Sequence, residues 1–191
     1  MKTFKITIGG MNKKKYLDAL KKADITVSSY AKDLINKIEF QKKEKVNLVR
    51  LSVADLGLTV APMWSEILDA AKKKGYEHCS PEDALALGLE HKNQSRDDWF
   101  WVGMLPITDS GGYPRVFCVE RDGGGGRWLG ADFAHPADRW DLSREIAFRL
   151  RKSSALKTLE PIESSDTLDF ENRIASLESD MEKIRKILIL K

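Results

Sequence analysis

Phe4, Ile6 and Ile8 alternate with Thr3, Lys5 and Thr7 near the start of the chain. That period of two predicts a half-buried strand over residues 2–8, with a basic, hydroxyl-bearing opposite face. After Gly9-Gly10 the period changes: from Asn12 onward Leu17, Leu20 and Ala23 fall on one stripe of a helix, with lysines on the rest. Asp24-Ile-Thr-Val27 reads as a short break. Ser28-Ser29 are good N-caps for a second helix that carries Tyr30, Ala31, Leu34, Ile35 and Ile38 at helical spacing. Gln41-Lys-Lys-Glu-Lys45 is a charged linker, and Val46–Val53 reads as a strand. Pro62 suits the first turn of a helix in which Trp64, Ile67, Leu68 and Ala71 repeat, closed by Lys72-Lys-Lys74 and Gly75. Ser80-Pro81-Glu82-Asp83 starts a further short helix, with a cap, a proline and two first-turn acids.

From Asp97 to Lys152 the pattern is that of strands. Asp97-Asp-Trp-Phe-Trp-Val-Gly-Met104, Arg115–Arg121, Arg127–Phe133 and Glu145–Lys152 are aromatic and β-branched runs. Asp109-Ser-Gly-Gly112 and Asp122-Gly-Gly-Gly-Gly126 supply residues that tolerate positive φ, as hairpin turns require. Trp99 and Trp101 share parity and are expected on one side of their strand. Beyond Lys152 the composition shifts. Residues 153–165 read as a linker, and Phe170, Ile174, Leu177, Met181, Ile184 and Leu188 then step as the seam of a coiled coil. In a parallel pair, Arg173 meets Glu178 and Asp180 meets Arg185, so the seam predicts a parallel homo-oligomer. The expected fold is α+β: an N-terminal strand–helix–helix unit over 1–45, and a body over 46–152 built on a small antiparallel sheet with two short helices. A linker over 153–165 then leads to a C-terminal coiled-coil helix over 166–191.

Composition adds a charge asymmetry. The net charge of +3 over 191 residues conceals twelve lysines and one arginine against five acids in residues 1–50, a local excess of +8. A basic N-terminal segment on a mildly acidic remainder suggests an anionic partner. No apolar run approaches the roughly 20 residues that span a bilayer, and the first residues lack the apolar core of a signal peptide. Two cysteines are too few for a disulfide framework. The chain is therefore expected in the cytoplasm, away from membranes.

The strand, helix, brief turn and capped second helix of residues 2–40 resemble the ribbon–helix–helix repressors, in which two chains pair their strands into a ribbon that enters the DNA major groove. The resemblance implies that Thr3, Lys5 and Thr7 face DNA and that Ser28 and Ser29 offer backbone amides to a phosphate; Lys13, Lys14 and Lys15 of the same basic segment are further candidate nucleic-acid contacts. A second resemblance covers roughly residues 1–152. Asp55-Leu-Gly57, His78-Cys-Ser-Pro-Glu82, Met104-Leu-Pro-Ile-Thr-Asp-Ser110 and Val116-Phe117 look like a group of uncharacterised bacterial proteins from small-genome candidate phyla that end in a tryptophan-rich hairpin. It implies an α+β fold and lends no catalytic residues.

Candidate chemistry is sparse. His78-Cys79, with His91 and His135, invites a nucleophile or metal reading, but zinc sites bring paired ligands at short spacing and a nucleophilic cysteine needs a placed base. Gly123–Gly126 lies between two strands, where phosphate-cradling loops do not occur. No enzyme, metal or cofactor is expected. Trp128, Phe133, His135, Arg139 and Trp140 lie in a Gly-, Pro- and Asp-rich segment and make candidate binding anchors. Two functions follow. One is an oligomeric, non-enzymatic DNA-binding protein whose body senses or recruits something. The other is an oligomeric recognition protein that presents the 127–144 surface to a protein or glycan.

Overall fold

Strand pairing organises residues 2–151, the part of the chain that the structure, a computed structural model, describes. The strands are β1 (Lys2–Ile8), β2 (Ile25–Val27), β3 (Glu44–Ser52), β4 (Tyr76–Glu77), β5 (Asp98–Val102), β6 (Ile107–Thr108), β7 (Pro114–Arg121), β8 (Arg127–Phe133) and β9 (Glu145–Leu150). The helices are α1 (Lys13–Lys22), α2 (Ser29–Ile35), α3 (Trp64–Lys73) and α4 (Pro81–Glu90), with a 3-10 turn at Ala54–Leu56. Seven strands run in the order β1-β3-β9-β5-β7-β8-β2; β4 adds to the end of β9 and β6 to β7. The pairs β5–β9 and β2–β8 are parallel and the others antiparallel. The result is one curled, mixed sheet.

This corrects the expected architecture. The sheet is neither small nor antiparallel, and it is the dominant element among the described residues, with four short helices rather than a balanced α+β body. The expected strand–helix–helix unit is a strand–helix–strand–helix segment. The "break" at Asp24–Val27 is β2, entered through Asp24 at φ 54° and paired in parallel with Arg127–Leu129. β1 pairs along all seven residues with β3 of its own chain. The two strands of the first 45 residues thus form opposite ends of the strand order. The coiled-coil seam Phe170–Leu188 lies outside the described residues.

The two faces of the sheet bury different things. On one, α4 packs against β1, β5, β7, β8 and α1. Every residue from Glu82 to Gly88 is buried, so α4 is a helix enclosed on all sides rather than an amphipathic surface helix. Burying Glu82 and Asp83 requires partners, and both have them. Asp83 holds Arg149 in a two-pronged ion pair (Nε–Oδ2 2.6 Å, Nη2–Oδ1 2.7 Å) and accepts the Ser80 N–H at 3.0 Å. Glu82 accepts the Gly9 N–H (3.0 Å), the Gln41 N–H (2.8 Å) and the Tyr16 hydroxyl. Burial, then the Glu82 carboxylate, push the Tyr16 phenol well up. On the opposite face α3 buries Trp64, Ile67, Leu68 and Ala71, and Trp64 donates to the Met104 carbonyl at 3.0 Å.

Candidate binding site

Parity along β5 sends Phe100 and Val102 to the α4 side and Trp99 and Trp101 to the other. Trp99 and Trp101 lie with centroids 4.7 Å apart, as expected from their shared parity. From there an aromatic chain continues inward: Trp101 meets Trp140 edge-on at 5.2 Å, and Trp140 meets Trp64 at 4.6 Å. The segment between β8 and β9 that carries Trp140 is pinned to the segment before α3. The Trp140 backbone N–H donates to the Pro62 carbonyl (2.8 Å), the Val53 N–H to the Arg144 carbonyl (2.9 Å) and the Ala54 N–H to the Leu142 carbonyl (2.9 Å).

Over this aromatic floor lies an open groove of about 360 Å³, walled by Asp132, Asp138, Arg139, Asp141 and Arg144, with Phe133 at one lip. Its polar groups are oriented in advance. Asp132 accepts the Trp101 indole N–H at 3.2 Å and the Phe133 amide at 2.9 Å. Asp141 accepts both the amide and the hydroxyl of Ser143 at 2.7 Å, and these bonds hold its carboxyl below the usual range. Arg139 reaches the Ala61 carbonyl and Glu66, both at 3.3 Å. The Arg144 guanidinium sits 4.9 Å over the Trp101 ring and 5.6 Å over Trp99. Trp140 is only 7% exposed, and its indole nitrogen is buried without a partner. A buried donor left unmade is costly.

Three of the five anchors read from the sequence meet here: Phe133, Arg139 and Trp140. Trp128 does not, because its indole donates to Asp122 at 3.0 Å in the β7–β8 hairpin. His135 accepts the Ala137 amide through Nδ1 at 3.2 Å and does not line the groove. Trp101, Asp132, Asp138, Asp141 and Arg144 were missed. The three aspartates are closely spaced in a segment already singled out for its aromatics, which is the only sequence signal for them.

The residues assigned to DNA spread over separate places. Thr3 and Lys5 are exposed on β1, and Thr7 is half-buried with its N–H donated to Glu90 at 2.8 Å. Lys14 and Lys15 are exposed in the first turn of α1, and Lys13 donates to Asn36 Oδ1 at 3.2 Å. The Ser28 amide is not free for a phosphate, since it donates to Leu129 O (3.0 Å), while its hydroxyl accepts the Ala31 amide (3.1 Å). Ser29 is exposed at the start of the seven-residue α2.

Neither thiol is poised for chemistry. Cys79 is buried and donates to the Ala147 carbonyl at 3.3 Å, and burial pushes its thiol well up. Burial pushes Cys118 up to about 12. Both should ignore an aromatic disulfide reagent at pH 8 in the native protein and react promptly in denaturant; fast native-state reaction of either would place it outside the core. Among the described residues, no group of three or more His, Cys, Asp or Glu side chains is arranged to hold a metal ion, and no helix is long and apolar enough to cross a membrane.

No protein-family model, curated protein or solved structure matches this chain.

Proposed function

We propose that the protein is a non-enzymatic recognition protein that binds an oligosaccharide in the groove over Trp101 and Trp140. The observation that carries this reading is the convergence of three carboxylates and two guanidinium groups, most already oriented, above a stack of tryptophans. Carboxylates and guanidinium groups fixed in position suit hydroxyl groups, which both donate and accept. The half-exposed faces of Trp99 (40%) and Phe133 (44%) at the margins suit the apolar faces of sugar rings. A protein ligand fits less well. Protein hot spots fill desolvated apolar pockets, whereas the tryptophans beneath this groove expose only 3% and 7% of their surface. Pinning of the 134–144 segment reduces the entropy lost on binding.

DNA binding by the ribbon mode has less support. The strand that would enter a groove is paired within its own chain, and the Ser28 amide is already committed. The lysines remain, and they are considered below. Two free cysteines held as buried thiols support a reducing, cytoplasmic location.

The test is a titration of intrinsic tryptophan fluorescence with a panel of soluble neutral and acidic oligosaccharides. At least one should perturb the emission saturably. Arg144→Ala should weaken that ligand about 10-fold or more, roughly 1.4 kcal/mol, with an unchanged circular dichroism spectrum. A panel without a saturable response, or an Arg144→Ala protein that binds as well as wild type, would contradict the reading.

A further inference from the structure

A lysine-rich part of the described chain lies outside the groove lining, where Gly9-Gly10 crosses the segment that leads into β3. Gly9 takes φ +75°, and a Cβ there would stand 2.2 Å from the Lys42 carbonyl oxygen, so only glycine lets the two backbones approach. Gly10 N–H donates to the Gln41 carbonyl at 3.0 Å, and a Cβ on Gly10 would lie 3.4 Å from that of Lys43. Two residues beyond Gly10, Asn12 caps α1, whose first turn is Lys13-Lys14-Lys15 and contains no acid. Lys13 in turn reaches Asn36 of the segment that leads to Lys42. The crossing thus gathers five lysines, Lys13, Lys14, Lys15, Lys42 and Lys43, from two segments distant in sequence. The acids in reach are Glu39 and Glu44, on either side of Lys42-Lys43, Asp18, one turn further along α1, and the buried Glu82 that accepts the Gly9 and Gln41 amides. The five lysines still outnumber these four acids.

We infer that this lysine cluster binds the phosphate backbone of duplex DNA without reading its sequence. Charge complementarity carries the inference: lysines from two segments distant in sequence outnumber the acids beside them. Lysine is a point charge on a flexible stem, suited to phosphates and poorly suited to the bidentate reading of a base edge. The site is independent of the oligosaccharide groove and differs from a ribbon in the major groove, since it leaves Thr3 and Lys5 out.

Fluorescence anisotropy with a labelled random-sequence 30-base-pair duplex, read between 50 and 200 mM salt, tests it. If four or five phosphates are neutralised, log K against log salt should fall with a slope of about −4, a loss on the order of 10²-fold across the range. The full-length triple variant Lys14→Gln/Lys15→Gln/Lys43→Gln should shallow that slope by roughly 3, and Lys14→Gln alone by about 1. Thr3→Ala/Lys5→Gln and Arg144→Ala should leave it unchanged. Absence of salt-sensitive binding, or a triple variant with the wild-type slope, would overturn the inference. Loss of DNA binding in Arg144→Ala would overturn the independence of the two sites. Because the groove is read by tryptophan fluorescence and the lysine cluster by salt slope, either reading can fail without the other.

Discussion

A chain that begins at residue 44 should not fold. The segment removed looks separable in sequence, bounded by a charged linker and distinct in charge, but it contributes β1, α1, β2 and α2 to the one sheet and its cover. Six of its leucines and isoleucines, Ile6, Ile8, Leu20, Ile25, Leu34 and Ile35, are at most 5% exposed. At about 1.5–3 kcal/mol for each fully buried side chain, their loss is on the order of 10 kcal/mol, as large as the net stability of an ordinary domain. Truncation would also bare one edge of β3 and one edge of β8, both of which are paired in the intact chain. Hydrogen exchange on residues 44–151 should therefore find no protected amides. A cooperative melt with protected β5, β7 and β9 amides would show that the later strands and α4 suffice for a core.

Glu82→Ala should be the most damaging single substitution that changes no apolar packing. Glu82 is fully buried and closes three bonds at once, to the Gly9 amide, the Gln41 amide and the Tyr16 hydroxyl. It is the tie between α4 and both strands of the glycine crossing. Each buried donor orphaned by its removal costs about 1–3 kcal/mol, so a loss of about 3–5 kcal/mol is expected. For a protein of this size that lowers the melting temperature by roughly 10 °C or more. Glu82→Gln keeps an acceptor for one partner but turns an amide N–H toward another, and should fall between the two. A chemical-denaturation midpoint unchanged in Glu82→Ala would mean that water replaces the carboxylate without penalty, and that the N-terminal segment is held by apolar contact alone.

These two expectations also locate what the sequence conveyed. Local period was sufficient for β1, β3, β7, β8, α1 and α3, each of which shows a period of two or 3.6 or a run of strand formers between clear turn residues. It failed at β2, where three residues are too few to alternate and two strong helices on either side suggested a mere break. Pairing was the larger loss. Nothing near Trp101 and Val102 announces that they lie beside Ile146 and Ala147 in parallel, and a strand order is a property of distant partners rather than of periods. α4 was placed from Ser80-Pro81-Glu82-Asp83, and its first-turn acids were read as part of a helix start signal. That both are buried depends on Arg149, Gly9, Gln41 and Tyr16, none of which is near in sequence. At the site, Phe133, Arg139 and Trp140 were legible because aromatics and arginine stand out in a turn-rich segment. Trp101 was read only as a strand residue, and nothing in the local pattern singles out Arg144, whose guanidinium lies over the indoles.

The groove is tested most directly by the five indole N–H signals in a ¹H–¹⁵N correlation spectrum, recorded with and without the tightest oligosaccharide of the fluorescence panel. The signals of Trp101 and Trp140 should move together with Trp99, and the Trp140 signal most, since its N–H is the one buried without an acceptor. Trp128, bonded to Asp122 outside the groove, should stay in place. Stationary Trp101 and Trp140 signals at saturating ligand, or a shift confined to Trp128, would contradict oligosaccharide recognition at this site.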